Sequence, residues 1–528
     1  MDQAAKSASP GMQRFPDSHP SAMSTPTTEG SRQPVPASLD PVDWRELRAQ
    51  GHSMLDDMLD YLQDIRERPV WQPIPDAVRG RFREPLPREG SGLDRVHETF
   101  MDSILPFAVG NAHPGFMGWV HGGGTPVGML AEMLAAGLNA NLGGRDHVPV
   151  EVEWQVLRWV IELFGFPQDA SGLFLTGSSM ANLSGVLVAR TRALGSGVRS
   201  SGVAQASRRL TAYTSARAHG CIAQGMDLAG LGKDNLRSIP VDGQGCMDLA
   251  RLAAAIAADR AAGCSPFLVV GTAGTVDTGA IDDLAGIAHI ARREQLHFHV
   301  DGAFGALAML CPQLAGRLGG IEQADSIAFD FHKWLQVPYD AGFFLVRDRQ
   351  LHLRTFATHE GTYLSRGERG MAAGSPWPCD FGPDLSRGFR ALKTWFTIKV
   401  YGTERLGGMI AQTCALASEL ARRIDAEPEL ELLAPVSLNI VCFRFIGAGL
   451  HDQHAIEQVN RDLVVAVQES GVAAPSSTVL DGRFAIRVAL FNHRSTSQDI
   501  DALLGATLAL GRSLSAASSV PEASGLPL

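Results

Sequence analysis

The chain has 528 residues, of which 45% are hydrophobic and 19% are charged, so we expect a globular protein with two or three domains. Its formal net charge of -10 at pH 7 argues against binding to nucleic acid or to an anionic membrane surface, since both require clustered Lys and Arg. The seven cysteines are odd in number and never spaced Cys-x-x-Cys, so neither a disulfide framework nor a zinc site is expected. No apolar run reaches the roughly 20 residues of a membrane-spanning helix, and no secretory signal is recognisable. We therefore expect small-molecule chemistry in a reducing cytoplasm.

The first 40 residues are rich in Ser, Pro, Thr and Gln, and we expect them to form a disordered tail because they hold few large apolar side chains. From residue 41 to about 68, Leu and Met recur at helical spacing, and a stretch punctuated by proline follows. Residues 41–110 are therefore predicted to form a helical arm.

The middle of the chain alternates short apolar strands with helices. Residues 151–164 have an amphipathic helical pattern that ends at Gly165 and Pro167. Strands are predicted at residues 173–175, 267–272, 299–301, 327–329 and 343–346. This alternation predicts an α/β domain over residues 111–400, with a mainly parallel sheet covered on both faces and a ligand beyond the carboxyl ends of the strands. Long helices and strands at 436–445 and 484–491 predict a smaller α+β domain over residues 401–515.

Lys333 lies in the sequence Asp-Phe-His-Lys-Trp-Leu, directly after the strand at 327–329. Desolvation of a lysine between aromatic residues lowers its pKa, so that the neutral amine attacks an aldehyde. An ordinary surface lysine beside a core tryptophan explains the same pattern equally well.

Asp301 ends another apolar strand and is followed by Gly302 and Ala303. An ionised carboxylate at this position keeps a pyridine nitrogen protonated, and the small Ala303 allows a flat ring to lie close. Aspartate at a strand end is also a common cap or turn former.

Residues 173–183 show the pattern of a strand, a tight turn and the start of a helix. Their backbone N–H groups and the hydroxyls of Ser178 and Ser179 are suited to bind an anion, although simple helix capping accounts for the serines as well. His219 is a candidate for stacking on an aromatic ring, but a lone histidine is more often an ordinary packed or surface residue.

Together and in this order, these segments resemble the group II decarboxylases that depend on pyridoxal 5'-phosphate (PLP), and in particular their aromatic-L-amino-acid branch. The resemblance runs from about residue 44 to residue 504 and includes residues 113–116, 151–167, 176–183, 218–219, 274–275, 299–303, 332–334 and 386–393. It implies fold type I with a central sheet of seven strands, PLP as the cofactor, and decarboxylation of an aromatic or apolar L-amino acid to the amine and carbon dioxide.

The resemblance also implies roles for individual residues. Lys333 would form the Schiff base with PLP, and Asp301 would bond the pyridine nitrogen. Other positions would complete the cofactor pocket: His219 over the ring, Ser178 and Ser179 at the phosphate, and Thr275, Ala303 and His332 around them. Trp119 and Tyr339 would contact the substrate. Family members are homodimers with active sites at the interface, which makes the arm at 41–110 a dimerisation arm.

The sequence departs from the resembled family in a loop that supplies a tyrosine as proton donor. No tyrosine lies between Leu364 and Val400, and counting back from Phe389 without gaps places Pro378 at that position. Either Tyr363 or His219 replaces that acid, or the enzyme is an aldehyde synthase or performs aldolase or aminotransferase-like chemistry. The glycine-rich stretch 358–383 is predicted to be a mobile lid.

A serine hydrolase is a remote alternative. The sequence His-Gly-Gly-Gly at 121–124 is similar to an oxyanion-hole turn, and Gly-Ser-Ser-Met-Ala at 177–181 nearly matches a nucleophile elbow. That interpretation leaves Lys333 and Asp301 without a role. A non-catalytic binding protein on the same fold is a third alternative.

Overall fold

A computed structural model describes residues 38–357, 366–447 and 450–518. Contacts divide the chain into two units, one up to Ser53 and one from Met54 onward. The described part of the first unit contains a short turn, in which the Arg45 N–H donates to Asp43 Oδ1, and the start of the first helix. Most of the predicted tail, residues 1–40, lies outside the described residues.

The helices are α1 (Trp44–Gln63), α2 (Asp76–Arg81), α3 (Leu93–Ser103), α4 (Pro126–Leu138), α5 (Val148–Phe164), α6 (Ser178–Leu194), α7 (Val198–Ser201), α8 (Cys221–Leu228), α9 (Leu249–Ala261), α10 (Leu284–Glu294), α11 (Pro312–Ala315), α12 (Phe331–Trp334), α13 (Arg349–Phe356), α14 (Arg390–Asp425), α15 (Gln453–Glu469) and α16 (Ser497–Ser518). The strands are β1 (Phe116–Met117), β2 (Ser171–Leu175), β3 (Leu210–Ser215), β4 (Leu236–Ile239), β5 (Ser265–Thr272), β6 (His297–Asp301), β7 (Ser326–Asp330), β8 (Gly342–Val346), β9 (Leu430–Leu432), β10 (Ile440–Phe445), β11 (Ala474–Leu480) and β12 (Arg483–Ala489). Among the described residues, none of the helices combines the length and the hydropathy that crossing a bilayer requires.

Helix α5 shows how local sequence sets the boundaries of an element. Pro149 lies in its first turn, where the missing N–H costs nothing. The helix ends at Gly165, which adopts the left-handed conformation (φ 64°) that glycine tolerates best. Val156 and Val160 are buried on one face. The helix predicted at 151–164 is therefore confirmed, with its start at Val148.

The large sheet has seven strands in the order β2-β8-β7-β6-β5-β3-β4. Strand β8 is antiparallel to both of its neighbours, and the other pairings are parallel. Strands β6 and β7 are buried along their whole length, as expected for a parallel sheet covered on both faces. The predicted α/β fold with a mainly parallel sheet of seven strands is confirmed.

The second sheet has five strands in the order β1-β11-β12-β10-β9. The predicted strands at 436–445 and 484–491 are present as β10 and β12, and both are shorter than predicted. Apolar faces of α14, α15 and α16 form a core with this sheet, which includes Leu420, Leu463 and Leu503. Strand β1 pairs with β11 in parallel, so residues 116–117 join the smaller sheet although they precede the large one in sequence.

The carboxyl ends of β6 and β7 meet at one edge of the large sheet. The Ala273 N–H donates to the Asp301 carbonyl at 2.9 Å, and the Asp330 N–H donates to the Ala303 carbonyl at 3.1 Å. The first bond joins the residue after β5 to the end of β6. The second bond joins the end of β7 to the segment that follows β6. Two of the strands end in an aspartate at this edge, where a parallel sheet binds its ligands.

Candidate active site

Lys333 lies on the short helix α12, directly after β7. Phe331 and Trp334 of this helix are buried in the core, which leaves the Lys333 side chain 21% exposed on the other side. Lys333 Nζ lies 2.8 Å from Oδ2 of Asp330, the last residue of β7. The other oxygen of this buried carboxylate, Oδ1, has no hydrogen-bond partner among the described residues. Asp330 therefore places one fixed negative charge beside the amine.

The electrostatics of Lys333 differ from the sequence-based expectation of a lowered pKa. Burial does lower the pKa of the ammonium, but Asp330, through its charge and its hydrogen bond, and Asp301 raise it by more. The pKa of Lys333 is therefore above its ordinary value, and the expectation was wrong for the protein without cofactor. Because two carboxylates cause the increase, another positive charge brought near them would lower this pKa.

Asp301 ends β6 and is almost completely buried, with 2% of its surface exposed. Burial raises the pKa of its carboxyl, and the charge of Lys333, the Ala303 N–H, the Asn182 side chain and the charge of His219 act in the opposite direction. The Ala303 N–H donates to Asp301 Oδ1 at 3.2 Å. Because burial destabilises the charged form of this carboxylate, a cationic partner would stabilise it strongly.

His332 and Tyr339 lie side by side next to Lys333. His332 Nδ1 accepts a hydrogen bond from the Ala341 N–H at 3.0 Å, so the proton of a neutral ring lies on Nε2, 3.7 Å from Asp330 Oδ2. Burial lowers the pKa of His332. The Tyr339 ring lies 4.3 Å from the His332 ring, and 47% of Tyr339 remains exposed. Burial and the charge of Asp330 raise the pKa of the Tyr339 hydroxyl, which keeps it protonated.

The loop at 119–124 packs directly on the backbone of Lys333. The Gly122 N–H donates to the His332 carbonyl, and a Cβ on Gly122 would lie 2.4 Å from the Lys333 carbonyl oxygen. Only glycine fits at this distance. The loop therefore holds His121, whose ring contacts those of Trp119 and Tyr339, next to the helix that carries Lys333.

His121 is a site residue that the sequence analysis missed. Its ring stacks on Phe116 at 5.6 Å, lies 5.9 Å from Trp119 and meets the edge of Tyr339 at 5.6 Å. Burial and the charge of Lys333 lower its pKa. Its buried Nδ1 has no partner within the described part of the chain. The His-Gly-Gly-Gly sequence was the available signal, but the esterase comparison pointed to its glycines and not to the histidine.

The hydrolase alternative does not fit this geometry. The Gly122 N–H is bonded to the His332 carbonyl, and the Gly123 N–H donates to Gln336 Oε1 at 2.7 Å. Both groups are therefore unavailable to an oxyanion. The elbow pattern places the nucleophile at Ser179, which is exposed and forms no hydrogen bond to a histidine among the described side chains, so no base activates it.

The first turn of α6 provides an anion-binding position next to Asp330. An added Cβ on Gly177, the residue before the helix, would lie 3.8 Å from Asp330 Oδ1 and 3.6 Å from the His332 ring. Ser178 is buried, and its Oγ lacks a partner, whereas Ser179 is exposed. Unpaired N–H groups and the dipole at a helix start favour an anion. A buried hydroxyl without a partner at the same place indicates that a ligand group completes it.

The other predicted cofactor residues differ in how they are placed. His219 is exposed and close enough to Asp301 to act on its pKa. Ala303 is half-buried between the ends of β6 and β7. Thr275 is fully buried, and its Oγ1 bonds Thr278 Oγ1 and the Ala280 N–H, both at 3.1 Å. The hydroxyl of Thr275 therefore has its hydrogen-bond partners within its own loop.

The segment at 366–383 is anchored to the body of the protein, in contrast to the predicted structureless lid. Trp377 is buried, its Nε1–H donates to the Ala373 carbonyl at 2.8 Å, and the guanidinium groups of Arg145 and Arg366 each lie 4.6 Å from its ring. Arg366 also forms an ion pair with Asp380. The expectation of a structureless stretch is therefore wrong for residues 373–383, and closure of a lid over the site stays a prediction.

Pro378 is buried in this anchored segment. Counting back from Phe389 without gaps placed Pro378 at the position of the family's tyrosine. In the structure this position is therefore occupied by a buried residue of the anchored segment. Tyr363, the alternative proton donor, and the rest of 358–365 lie outside the described residues.

The described residues fit PLP, the cofactor that the resemblance implies. PLP carries a phosphate, a basic ring nitrogen and an aldehyde. Ser178 and the start of α6 fit the phosphate, the buried Asp301 fits a protonated ring nitrogen, and Lys333 fits the aldehyde. The orphaned Ser178 Oγ is the clearest sign that a ligand belongs at this edge of the sheet.

Comparisons with known proteins agree with this geometry. Residues 75–446 match the family model of the pyridoxal-dependent decarboxylase conserved domain. The chain is 30% identical to an aromatic-L-amino-acid decarboxylase of Bacillus atrophaeus over 460 residues, which cover 86% of this chain and 93% of the relative. It is 32% identical to an L-2,4-diaminobutyrate decarboxylase of Rhizobium meliloti (strain 1021) over 428 residues, 80% of this chain and 83% of the relative.

Among solved structures, the Oryza sativa TDC with PLP and tryptamine superposes with a TM-score of 0.82 and 25% sequence identity, covering 90% of this chain and 100% of that one. Fold, cofactor fit and family model thus lead to one conclusion. This chain belongs to the pyridoxal-dependent decarboxylase family and is a PLP-dependent carboxy-lyase.

Proposed function

We propose that this enzyme decarboxylates an aromatic L-amino acid and releases the corresponding amine. The observation that carries the proposal is the aromatic group beside Lys333, in which the His121 ring is 5.9 Å from Trp119 and 5.6 Å from Tyr339. Trp119 and Tyr339 are 54% and 47% exposed, so their faces are open to a flat side chain. The names of an aromatic-amino-acid relative and of a structure with tryptamine support the same substrate class.

PLP, when bound, supplies the electron sink for the pair that is released as the bond between Cα and the carboxylate breaks. In our proposal Lys333 would hold the cofactor covalently through its side-chain amine. Asp301 holds a proton at the ring nitrogen, and His219 covers the open face of the ring. Ser178 and the first turn of α6 bind the phosphate, with the exposed Ser179 beside it. Trp119 and Tyr339 orient the side chain of the substrate.

Two substitutions and a substrate panel test this function. Lys333→Ala is expected to abolish turnover, and Asp301→Asn is expected to lower kcat by about 100- to 1,000-fold because an electrostatic contribution in a dry site is lost. Amine release is measured with L-tryptophan, L-tyrosine and L-phenylalanine against L-glutamate and L-2,4-diaminobutyrate. Preference for either of the last two would overturn the aromatic assignment, and undiminished turnover by Lys333→Ala would overturn the site.

An aldehyde-forming decarboxylation is the second candidate, favoured by the lack of a tyrosine from 365 to 399. Tyr363 decides between the two, because a phenol that donates a proton to the substrate carbon leads to the amine. We propose Tyr363 as that donor. Tyr363→Phe is then expected to shift the products from amine toward aldehyde and ammonia, with dioxygen as the oxidant and hydrogen peroxide as its product, and Tyr401→Phe, on α14, is the control. Aldehyde as the main product of the unmodified enzyme would reverse the assignment.

We also propose that the enzyme acts as a homodimer in a reducing cytoplasm. Helix α4 exposes an apolar stripe, with Met133, Leu134 and Leu138 between 50% and 59% exposed. An exposed stripe of this kind marks an interface, and a second copy of the chain is our proposed occupant. All seven cysteines are free, which suits a reducing compartment.

A further inference from the structure

A continuous chain of buried hydrogen bonds runs along β6, away from the cofactor site. His299 Nε2 lies 2.8 Å from Asn182 Oδ1, and His299 Nδ1 lies 2.8 Å from Ser326 Oγ. The same hydroxyl lies 2.9 Å from His297 Nε2. None of these residues is more than 1% exposed. The Asn182 NH2 donates to Cys221 Sγ at 3.3 Å, and the Asn182 side chain also acts on Asp301, where it counteracts the increase in the pKa of that carboxyl.

The chemistry of these groups fixes the direction of every bond in the chain. The Asp301 carboxylate accepts, so the Asn182 amide presents its NH2 to it and its oxygen to His299. His299 therefore carries its proton on Nε2, and its bare Nδ1 accepts from the Ser326 hydroxyl. Ser326 Oγ then accepts from His297 Nε2–H. Burial lowers the pKa of His299 to about 3 and that of His297 to about 4, which keeps both rings neutral, as this order of bonds requires.

The backbone is built to admit the His299 ring. Gly185, in the middle of α6, would carry a Cβ only 2.6 to 3.0 Å from three atoms of that ring. Glycine inside a helix costs about 1 kcal/mol relative to alanine, and the nearby ring explains why glycine is nevertheless present. The helix that presents Ser178 to the site thus also leaves room for the histidine behind Asp301.

We infer that Asn182, His299 and Ser326 are positioning residues that hold the Asp301 carboxylate as an acceptor aimed at the ring nitrogen of the cofactor. The inference rests on the proposed role of Asp301. His297 ends the chain at the other end of β6, where it lines a cavity of about 390 Å³ together with Arg192, Asp325 and Arg354. The chain runs from the cofactor edge of β6 into the core, so buried groups orient Asp301 together with the Ala303 N–H.

The test uses holoenzyme reconstituted with PLP that carries 15N at the ring nitrogen. In the unmodified enzyme the 15N NMR signal is expected at the position of a protonated nitrogen. In His299→Phe it should move toward the unprotonated position, with kcat lowered by about 5- to 150-fold, the cost of a buried group that loses its partner, and with KM little changed. His299→Gln, which keeps a donor toward Asn182, should restore part of both readouts.

His352→Phe is the matched control. His352 is also fully buried, and its Nδ1 lies 2.9 Å from Ser171 Oγ, but no hydrogen bond of the described residues connects it to Asp301. Its substitution should leave the 15N signal in place. If His299→Phe does not fold, Ser326→Ala breaks the chain one bond further away and should move the signal in the same direction by less.

The same measurement on Asp301→Asn distinguishes the proposed role of Asp301 from the proposed positioning role of Asn182, His299 and Ser326. An unchanged signal in Asp301→Asn would overturn the proposed role of Asp301. A shifted signal there, together with unchanged signals in His299→Phe and Ser326→Ala, would overturn only the positioning chain.

Discussion

Lys333 and Asp330 form an ion pair at the end of β7, with Nζ 2.8 Å from Oδ2. This carboxylate holds the pKa of the lysine above its ordinary value, although capture of an aldehyde requires the neutral amine. Asp330→Asn is therefore expected to speed PLP capture by the cofactor-free protein at pH 8, by about tenfold for each pKa unit lost. Stopped-flow absorbance measures the rate. Asp340→Asn, at a carboxylate bonded to Arg390, is the control, and equal rates in both variants would contradict the prediction.

The same ion pair predicts a pH dependence of stability. Because the pKa of Lys333 is raised on folding, the pair contributes fully below the unfolded value of about 10.4 and is lost as the pH rises through the folded value. The difference in Tm between the cofactor-free parent and its Lys333→Ala variant should therefore be constant from pH 7 to about 10 and shrink above that. Thermal melts across this range measure it, and a constant difference at pH 11 would disagree.

Gly122 tests the packing of the substrate loop on the lysine. A Cβ at this position would lie 2.4 Å from the Lys333 carbonyl oxygen, so Gly122→Ala must displace either the loop or α12. We expect kcat/KM to fall at least about 100-fold, the scale of a 1 Å misplacement. Gly505→Ala, in α16 with no atom within 4 Å of the added Cβ, should leave activity unchanged. Equal activities would show that the loop position does not matter.

Buried histidines predict a loss of stability in acid. Burial lowers the pKa of His352 to about 3, so the unfolded chain binds a proton below about pH 6.5 that the folded chain excludes. Stability therefore falls as the pH drops below 6.5, by about 1.4 kcal/mol per unit for this one group. His352→Phe should reduce that slope by the same amount, as measured by urea unfolding at pH 7, 6 and 5. An unchanged slope would mean that His352 is protonated in the folded state.

The proposed dimer is tested on the apolar stripe of α4. Leu134 is 50% exposed in the single chain, and Leu134→Asp would place a charge inside the interface. We expect this variant to elute as a monomer and to lose activity, as followed by size-exclusion chromatography with light scattering. Val465→Asp, at an equally exposed position on α15, should not change the mass. A dimeric Leu134→Asp would place the interface elsewhere.

The sequence by itself predicted five of the seven strands of the large sheet and the places of Asp301 and Lys333 at strand ends, and it missed β3 and β4. Apolar runs that end in Asp301 or precede Lys333 correspond to β6 and to β7 with α12, because a buried parallel strand needs continuous apolar residues. Parallel strands also place their carboxyl ends at one edge. Local pattern was therefore enough to bring this lysine and this aspartate together.

Only the tertiary structure determined the direction of the Lys333 pKa shift and the aromatic residues that line the site. The sign of the Lys333 pKa shift depends on its distance from Asp330 and Asp301, and a balance between burial and charge cannot be taken from spacing along the chain. His121 and Tyr339 meet across more than 200 residues of sequence. Trp377 anchors a segment whose composition predicts a loop, because burial against Arg145 and Gly144 outweighs local preference. Each of these features comes from contacts between distant segments, which hydrophobic periodicity does not encode.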